Sequence, residues 1–514
     1  MRLDRKKRTI NNIIYGVINK IITIIVPFIT RTVIINVLGS EYLGLNSLFT
    51  SILQILNLSE LGISSAIVYA MYKPIAENDE EKICALLNLY RKVYRIIGIA
   101  VLIVGLIIMP FLNDFITGEI PSDINIYILY LIYLINTFIT YILFAYKSSL
   151  LVAFQRNDVV SNVNSILYII QSIIQLSLLF IFKNYYLYIL IMPIITIINN
   201  IIISIIVKRK YSQYISKGKV DKETKKDIKK KVSGLFVYRI CSTTRNALDS
   251  IFISAFLGLN MVAIYNNYYL ILNSISTLLC VITNSMTSGI GNSIVLDSVE
   301  KNYNDMNKFN FVYMLIAGWC SCCLLCLYQP FMELWMGSEN LLPFGCIILF
   351  CVYFYSLHIG NIRALYSDAA GLWWETRYRA IAETIANIVL NFVLGKFFGI
   401  YGIILATIIS ILVINFGYGS FIIFKYYFKK QKIIEYFKSH FKYAFVTLVI
   451  CIVTYYICSF INTSLFIELL IKALICVIVP IALYFIIYRK NSHMVYIKSI
   501  IKEMKNKYVY KRDT

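Results

Sequence analysis

The stretch YLYILIMPIITIINNIIISIIVKRKYSQYISKGKVDKETKKDIKKK, residues 186–231, sets an apolar run directly against a basic one. Residues 186–207 carry no charge. They are long enough to cross a hydrocarbon core of about 30 Å as a helix. Lys208 to Lys231 then holds eleven Lys/Arg against Asp221, Glu223 and Asp227. A span that runs into such a cluster ends in the cytoplasm, because basic connections are retained on that face.

The same grammar extends both ways. Apolar runs recur at 10–37, 43–72, 88–112, 124–154 and 160–182 before this stretch. After it they recur at 233–257, 262–295, 308–330, 341–366, 375–395, 399–427, 441–460 and 465–488. With 186–207 they predict fourteen spans. Hydrophobic residues make up 59% of the 514, charged ones only 15%, which leaves no room for a soluble domain. Helices are the spanning element, since open sheet edges are not tolerated in lipid and the runs are too long and apolar for barrel strands.

Charge sorting tests the count. Connections after odd-numbered spans are short or acidic, with Glu41, Asp114, Glu119, Asp123, Glu333, Glu339 and Glu468. Lys183 and Lys396 are their only basic residues. Lys425 to Lys442 holds six Lys/Arg against Glu435, and the tail from Arg489 to Arg512 holds eight. An even span number with both ends cytoplasmic gives this alternation. Lys472, just inside the last span, is the blemish and can snorkel outward.

The expected architecture is an all-α polytopic membrane protein: residues 1–207 as an N-lobe of six spans, 208–232 as a basic cytoplasmic linker, 233–427 as a C-lobe of six, 428–488 as a closing pair, and 489–514 as a basic cytoplasmic tail. A weak echo between 38–49 and 257–268, and between 62–68 and 289–295, suits a parallel repeat.

The net charge of +22 reads as retention signals and contact with anionic headgroups, not nucleic-acid binding. Twelve cysteines form no disulfide framework, and Cys320, Cys322, Cys323 and Cys326 read as filler in an apolar run. His358, His440 and His493 are scattered. No metal or cofactor is expected. A nucleotide cradle is missing too, so pumping would draw on an ion or substrate gradient.

Charges at membrane depth are costly and mark candidate sites. Arg31 follows Pro27 by four residues and either lines a cavity or snorkels outward. Arg245 and Asp249, four apart, share a helix face. They form a structural pair, or Arg245 meets an anionic cargo while Asp249 orients it or couples an ion. Their surroundings, Ser242, Thr243, Thr244 and Asn246, are polar; Arg239 lies nearer the cytoplasm. Lys147 could face the same cavity or the inner headgroups. Arg363, Arg377, Arg379 and Glu383 form either an inner-surface anchor or a basic cytoplasmic entrance. Ser59 and Glu60 add polarity to the second span. Buried cations in excess of carboxylates suit phosphate, which arginine grips in bidentate fashion.

The order and spacing of three motifs carry a resemblance that covers the whole chain. NNIIYGVINKIITIIVPFITRTVIINVLGSEYLGLNSLFTSILQILNLSELGISSAIV opens the first lobe, TTRNALDSIFISAFLGLNMVAIYNNY the second, and GIYGIILAT the twelfth span. Together they resemble the polysaccharide-export branch, the O-antigen and capsule repeat-unit flippases, of the multidrug/oligosaccharidyl-lipid/polysaccharide superfamily. That resemblance implies a two-lobe alternating-access transporter rather than an enzyme. It would move undecaprenyl-diphosphate-linked repeat units between the leaflets of the bacterial cell membrane. Its partners would be that anionic lipid-linked saccharide, a coupling H+ or Na+, and other polysaccharide-assembly membrane proteins. Arg31 and Arg245, with Lys147, would meet the diphosphate. The alternatives are a cation-coupled multidrug antiporter of the same superfamily, a teichoic- or teichuronic-type polymer exporter, and a membrane enzyme of polysaccharide assembly. The short outward loops count against the enzyme.

Overall fold

The structure, a computed structural model, describes residues 2–57, 63–118 and 120–495. Readings that fall on Ser59, Glu60, Glu119 and the tail beyond 495 lie outside the described residues. So do those on the side chains of Arg239, Ser242, Thr243, Thr244 and Asn246.

Every regular element among the described residues is helical. In chain order the α-helices are α1 (Arg2–Val37), α2 (Ser40–Leu56), α3 (Ile63–Glu77), α4 (Glu80–Ile108), α5 (Ile126–Ile142), α6 (Ser148–Ala153), α7 (Asn157–Phe182), α8 (Tyr185–Lys210) and α9 (Lys222–Leu257). They continue as α10 (Leu259–Leu296), α11 (Val299–Met336), α12 (Phe344–His358), α13 (Asn361–Ala369), α14 (Trp373–Ile409), α15 (Gly419–Tyr426), α16 (Ile433–Ser459) and α17 (Leu465–Ile487). Side-chain caps fix several starts. Asp79 accepts from the Lys82 amide, Asn125 from Tyr127, Asn184 from Leu187, Asp221 from Thr224 and Ser298 from Lys301.

Among the described residues, ten helices are long and apolar enough to cross a membrane, and eleven if the pair α5–α6, bent by 46°, is one span. One of the ten, Trp373–Tyr426, runs 54 residues, far beyond a single crossing, and turns at Gly399, where φ is +55°. Two such crossings, a crossing by α2 and α3 together, and one by the polar α9 would restore the fourteen of the sequence reading. Fourteen stands as a proposed count. Large apolar side chains that face outward, such as Ile181 at 71% exposed and Ile478 at 65%, form a surface suited to lipid rather than water.

Contacts divide the chain into two compact units, residues 1–266 with 391–399, and 267–390 with 400–514. In the first, α1 packs on α7, α7 on α8, α5 on α4 and α8, and α9 on α2 and α3. Its core includes Leu43, Leu48, Phe49, Leu86, Tyr130 and Leu134. In the second, α11 is central and packs on α12, α16 and α17. Grouping by contact differs from grouping by span order, because α9 lies against α2 and α3. The six-plus-six-plus-two division at 208–232 is therefore carried forward as a proposal about topology.

The basic linker is packed rather than loose. Tyr211 and Tyr214 stand against the Phe154 ring, with centroids 4.6 and 5.6 Å away. Asn88 donates to the Gly218 carbonyl at 2.8 Å, and Arg91 to Ser216 at 3.3 Å.

Gly44 on α2 sets how closely that helix meets the start of α10. A Cβ there would lie 2.2 Å from the Leu259 carbonyl oxygen, and backbone cannot yield as a side chain can. Gly44→Ala should destabilise the protein by about 3 kcal/mol or more, seen as a lower unfolding temperature in detergent. Unchanged stability would mean that α2 and α10 separate without cost.

Candidate functional site

The last turns of α9 are held from outside. The Thr117 amide donates to the Ser254 carbonyl at 3.1 Å, and its hydroxyl to that of Ala255 at 2.6 Å. Gly258 then turns at φ +85°, with Thr117 oxygen so near that a Cβ would lie 2.8 Å away. This fixes Asp249 two turns back. Its carboxylate is wholly buried. One oxygen accepts from the Asn391 amide at 2.8 Å, the other from the Tyr265 hydroxyl at 3.1 Å. Asn266 donates to the neighbouring Ser250 at 3.2 Å. Arg245 sits one turn before Asp249, half-buried, on the face the spacing predicts.

Arg31 is half-buried on α1, in the unit where α1 packs on α7 and α7 on α8. Tyr168 of α7 and Tyr188 of α8 are its electrostatic neighbours. Lys147 lies elsewhere. Phe144 adopts φ +54° and breaks the α5–α6 span, and Lys147 follows in a single 3-10 turn. Its ammonium donates to Ser204 at 2.7 Å, lies 5.0 Å from the Phe144 ring, and feels Lys208 and Arg91. Tyr188 and Ser204 are sixteen residues apart on α8, about 24 Å at helical rise. Arg31 and Lys147 therefore cannot hold one phosphate group together.

The four residues grouped as an entrance separate into two kinds. Arg363, Arg379 and Glu383 are buried in the second unit. Glu383 accepts from Arg379 at 3.1 Å and from the Asn415 amide at 2.9 Å, while Arg363 donates to the Asn415 carbonyl oxygen at 3.3 Å. Asn415 lies in a π-helical stretch, Ser410–Tyr418, a local widening common at functional sites. Gly419 leaves the space that the Arg363 guanidinium fills. The trio thus ties α13, α14 and the π-helical stretch together. Arg377 is different. It is half-buried at the start of α14, 3.6 Å from the Trp374 ring centroid, and donates to the Tyr378 hydroxyl at 3.0 Å. That is the geometry of an interfacial anchor.

Tyr265, Asn391, Asn415, Tyr168 and Tyr188 were not among the residues the sequence reading named as sites. One signal was available. Arg379, Glu383, Asn387 and Asn391 recur every four residues on α14, and all are buried, so they form a polar stripe on one helix face. Among the described residues, Cys326 of the cysteine run lies with Cys458 and Cys476 in a group of three buried thiols.

The family described as "Polysaccharide biosynthesis protein" matches residues 9–287. Among solved structures, "Lipid II flippase MurJ, inward closed conformation" is similar at a TM-score of 0.68 and 17% identity, over 93% of this chain and 99% of that one. An inward-facing multidrug resistance MATE family transporter of the MOP superfamily is similar at 0.60 and 16%, over 76% and 92%. A mutant of the Vibrio cholerae MATE transporter VcmN reaches 0.55 and 14%, over 85% and 98%. A search of curated proteins by sequence finds no match. At these identities the structural likenesses show a shared polytopic helical fold.

Proposed function

Since this chain belongs to the polysaccharide biosynthesis protein family, we propose that it is a flippase for a lipid-linked saccharide of a bacterial cell membrane. The cargo is an oligosaccharide repeat unit on undecaprenyl diphosphate, moved from inner to outer leaflet by alternating access. The chain acts as a transporter, not an enzyme, with both ends in the cytoplasm.

The observation that carries this reading is Arg31, a half-buried guanidinium with Tyr168 and Tyr188 around it in the first unit. A planar cation suits a diphosphate, and aromatic rings suit the sugar that follows it. Arg245 is the second phosphate candidate. Lys147, about 24 Å along α8, serves capture from the inner leaflet instead. Arg377 on Trp374 is an interfacial anchor, and Arg363, Arg379 and Glu383, tied through Asn415, brace the helices of the second unit.

The MATE-like fold keeps a cation-exporting antiporter as the second reading. Asp249 is its best support, a carboxylate at depth. Its oxygens are engaged by Tyr265 and Asn391, however, which favours a small coupling ion, H+ or Na+, over an organic cation.

The test is leaflet-specific labelling of the lipid-linked oligosaccharide in a strain whose only flippase for it is this protein. Depletion should trap the intermediate in the inner leaflet. Normal delivery to the outer leaflet under depletion would end the flippase reading, and a changed drug tolerance alone would favour the antiporter.

A further inference from the structure

Three thiols meet where α11, α16 and α17 pack in the second unit. Cys326, Cys458 and Cys476 are 3%, 2% and 0% exposed, and their sulfurs all lie within 4.8 Å of one another. Cys322, one turn before Cys326, reaches both Cys326 and Cys451 of α16. The partly buried hydrophobic residues packed against the group are Cys323, Leu327 and Ile475. The group contains no carboxylate or imidazole.

Groups other than the sulfurs hold these positions. Cys326 and Cys476 each stand four residues before a proline, Pro330 and Pro480. A proline has no N–H, so the helix leaves the carbonyl of each cysteine without its usual donor. For Cys476 the replacement is the Trp319 indole N–H at 2.8 Å, with the Cys323 thiol at 3.9 Å. Gly318, beside Trp319, lets the helices close up. A Cβ there would lie 2.2 Å from the Tyr484 hydroxyl of α17 and 2.6 Å from that of Thr447 on α16. The three helices are thus held close together about two turns from the thiols.

We propose that Cys326, Cys458 and Cys476 form a binding site for a soft monovalent ion, Cu(I), that ties the closing pair α16–α17 to α11. Thiolate sulfur selects Cu(I), zinc and iron–sulfur centres over hard cations. Structural zinc takes four ligands and iron–sulfur clusters usually take four cysteines, whereas this group supplies three sulfurs in an apolar surround. Cu(I) is satisfied by two or three. Two thiols that bind it release two protons and leave one net negative charge. Lys472, one turn before Cys476, lies near Cys458 and is itself paired with Glu468. The site is independent of the flippase reading, since none of its residues is assigned to cargo or coupling.

The reduced full-length protein in detergent, titrated with Cu(I) against a chromogenic Cu(I) chelator, should bind one ion per chain. Cys326→Ser and Cys476→Ser should each weaken binding by about 10-fold, and the variant with both substitutions, left with one thiol of the three, should abolish it. Cys280→Ser, at an exposed position on α10, should not. X-ray absorption of the loaded unaltered protein should show a shell of sulfur alone, which keeps the test valid if a variant misfolds. Binding no tighter than in the triple serine variant would overturn the proposal. So would nitrogen or oxygen in the shell, preference for Zn(II), or a disulfide within the trio that forms as readily with Cu(I) present.

Discussion

Arg31→Ala should yield a protein that inserts and unfolds like the unaltered one, yet leaves its lipid-linked saccharide in the inner leaflet. The guanidinium is half-buried beside Tyr168 and Tyr188 and is not part of the fully buried core of its unit. Its removal takes away a charge held at that depth. The loss falls on cargo. Truncating one side of a buried hydrogen-bonded charge pair costs about 2–5 kcal/mol, so transport should slow by roughly 30-fold to several thousandfold. Arg31→Lys keeps the charge but not the planar fork and should recover only part of the rate. Lys147→Ala should be milder, below about 10-fold, because its ammonium already has Ser204 and sits near the basic end of α8. Leaflet-specific labelling reads each variant. Unaltered transport in both Arg31→Ala and Arg245→Ala would remove the cationic lining from the account.

How much of this could be read from residues alone follows from the range of each interaction. A membrane helix is a local object. The uncharged run 186–207 and the basic run after it announce one, and so does each similar pair. The Arg245–Asp249 spacing is equally local. What was hidden is what joins distant segments. Asn391 reaches Asp249 across 142 residues, and Asn415 reaches Glu383 across 32. Cys458 and Cys476 join Cys326 from two other helices. The break before Lys147 was hidden for another reason. It rests on a positive φ at Phe144, a residue type that gives no sign of it, and so an uninterrupted span looked plausible. The Arg379–Asn391 stripe is legible at four-residue spacing, but spacing alone does not say which neighbours Asn387 and Asn391 meet.

Asp249 separates an ion-coupling role from a structural one, because its two neutral replacements differ in what they leave behind. Alanine removes both acceptors. The Tyr265 hydroxyl and the Asn391 amide then face a wholly buried void, at a cost of about 1–3 kcal/mol for each donor that finds no new partner. Asp249→Ala should unfold at a distinctly lower temperature. Asparagine keeps the shape and one acceptor oxygen, so Asp249→Asn should unfold close to the unaltered protein. It cannot, however, carry the charge that a proton or sodium ion would neutralise. In vesicles, transport by the unaltered protein should accelerate when a gradient of the coupling ion is imposed. Asp249→Asn should run at one slow rate with or without it. Asp249→Glu restores the charge but adds a methylene at a wholly buried site, and should lose stability while keeping some response. A gradient response that persists in Asp249→Asn would leave this carboxylate as a tie between α9, α10 and α14, and coupling would then have to be sought at Glu383, where Arg379 and Asn415 already share one oxygen.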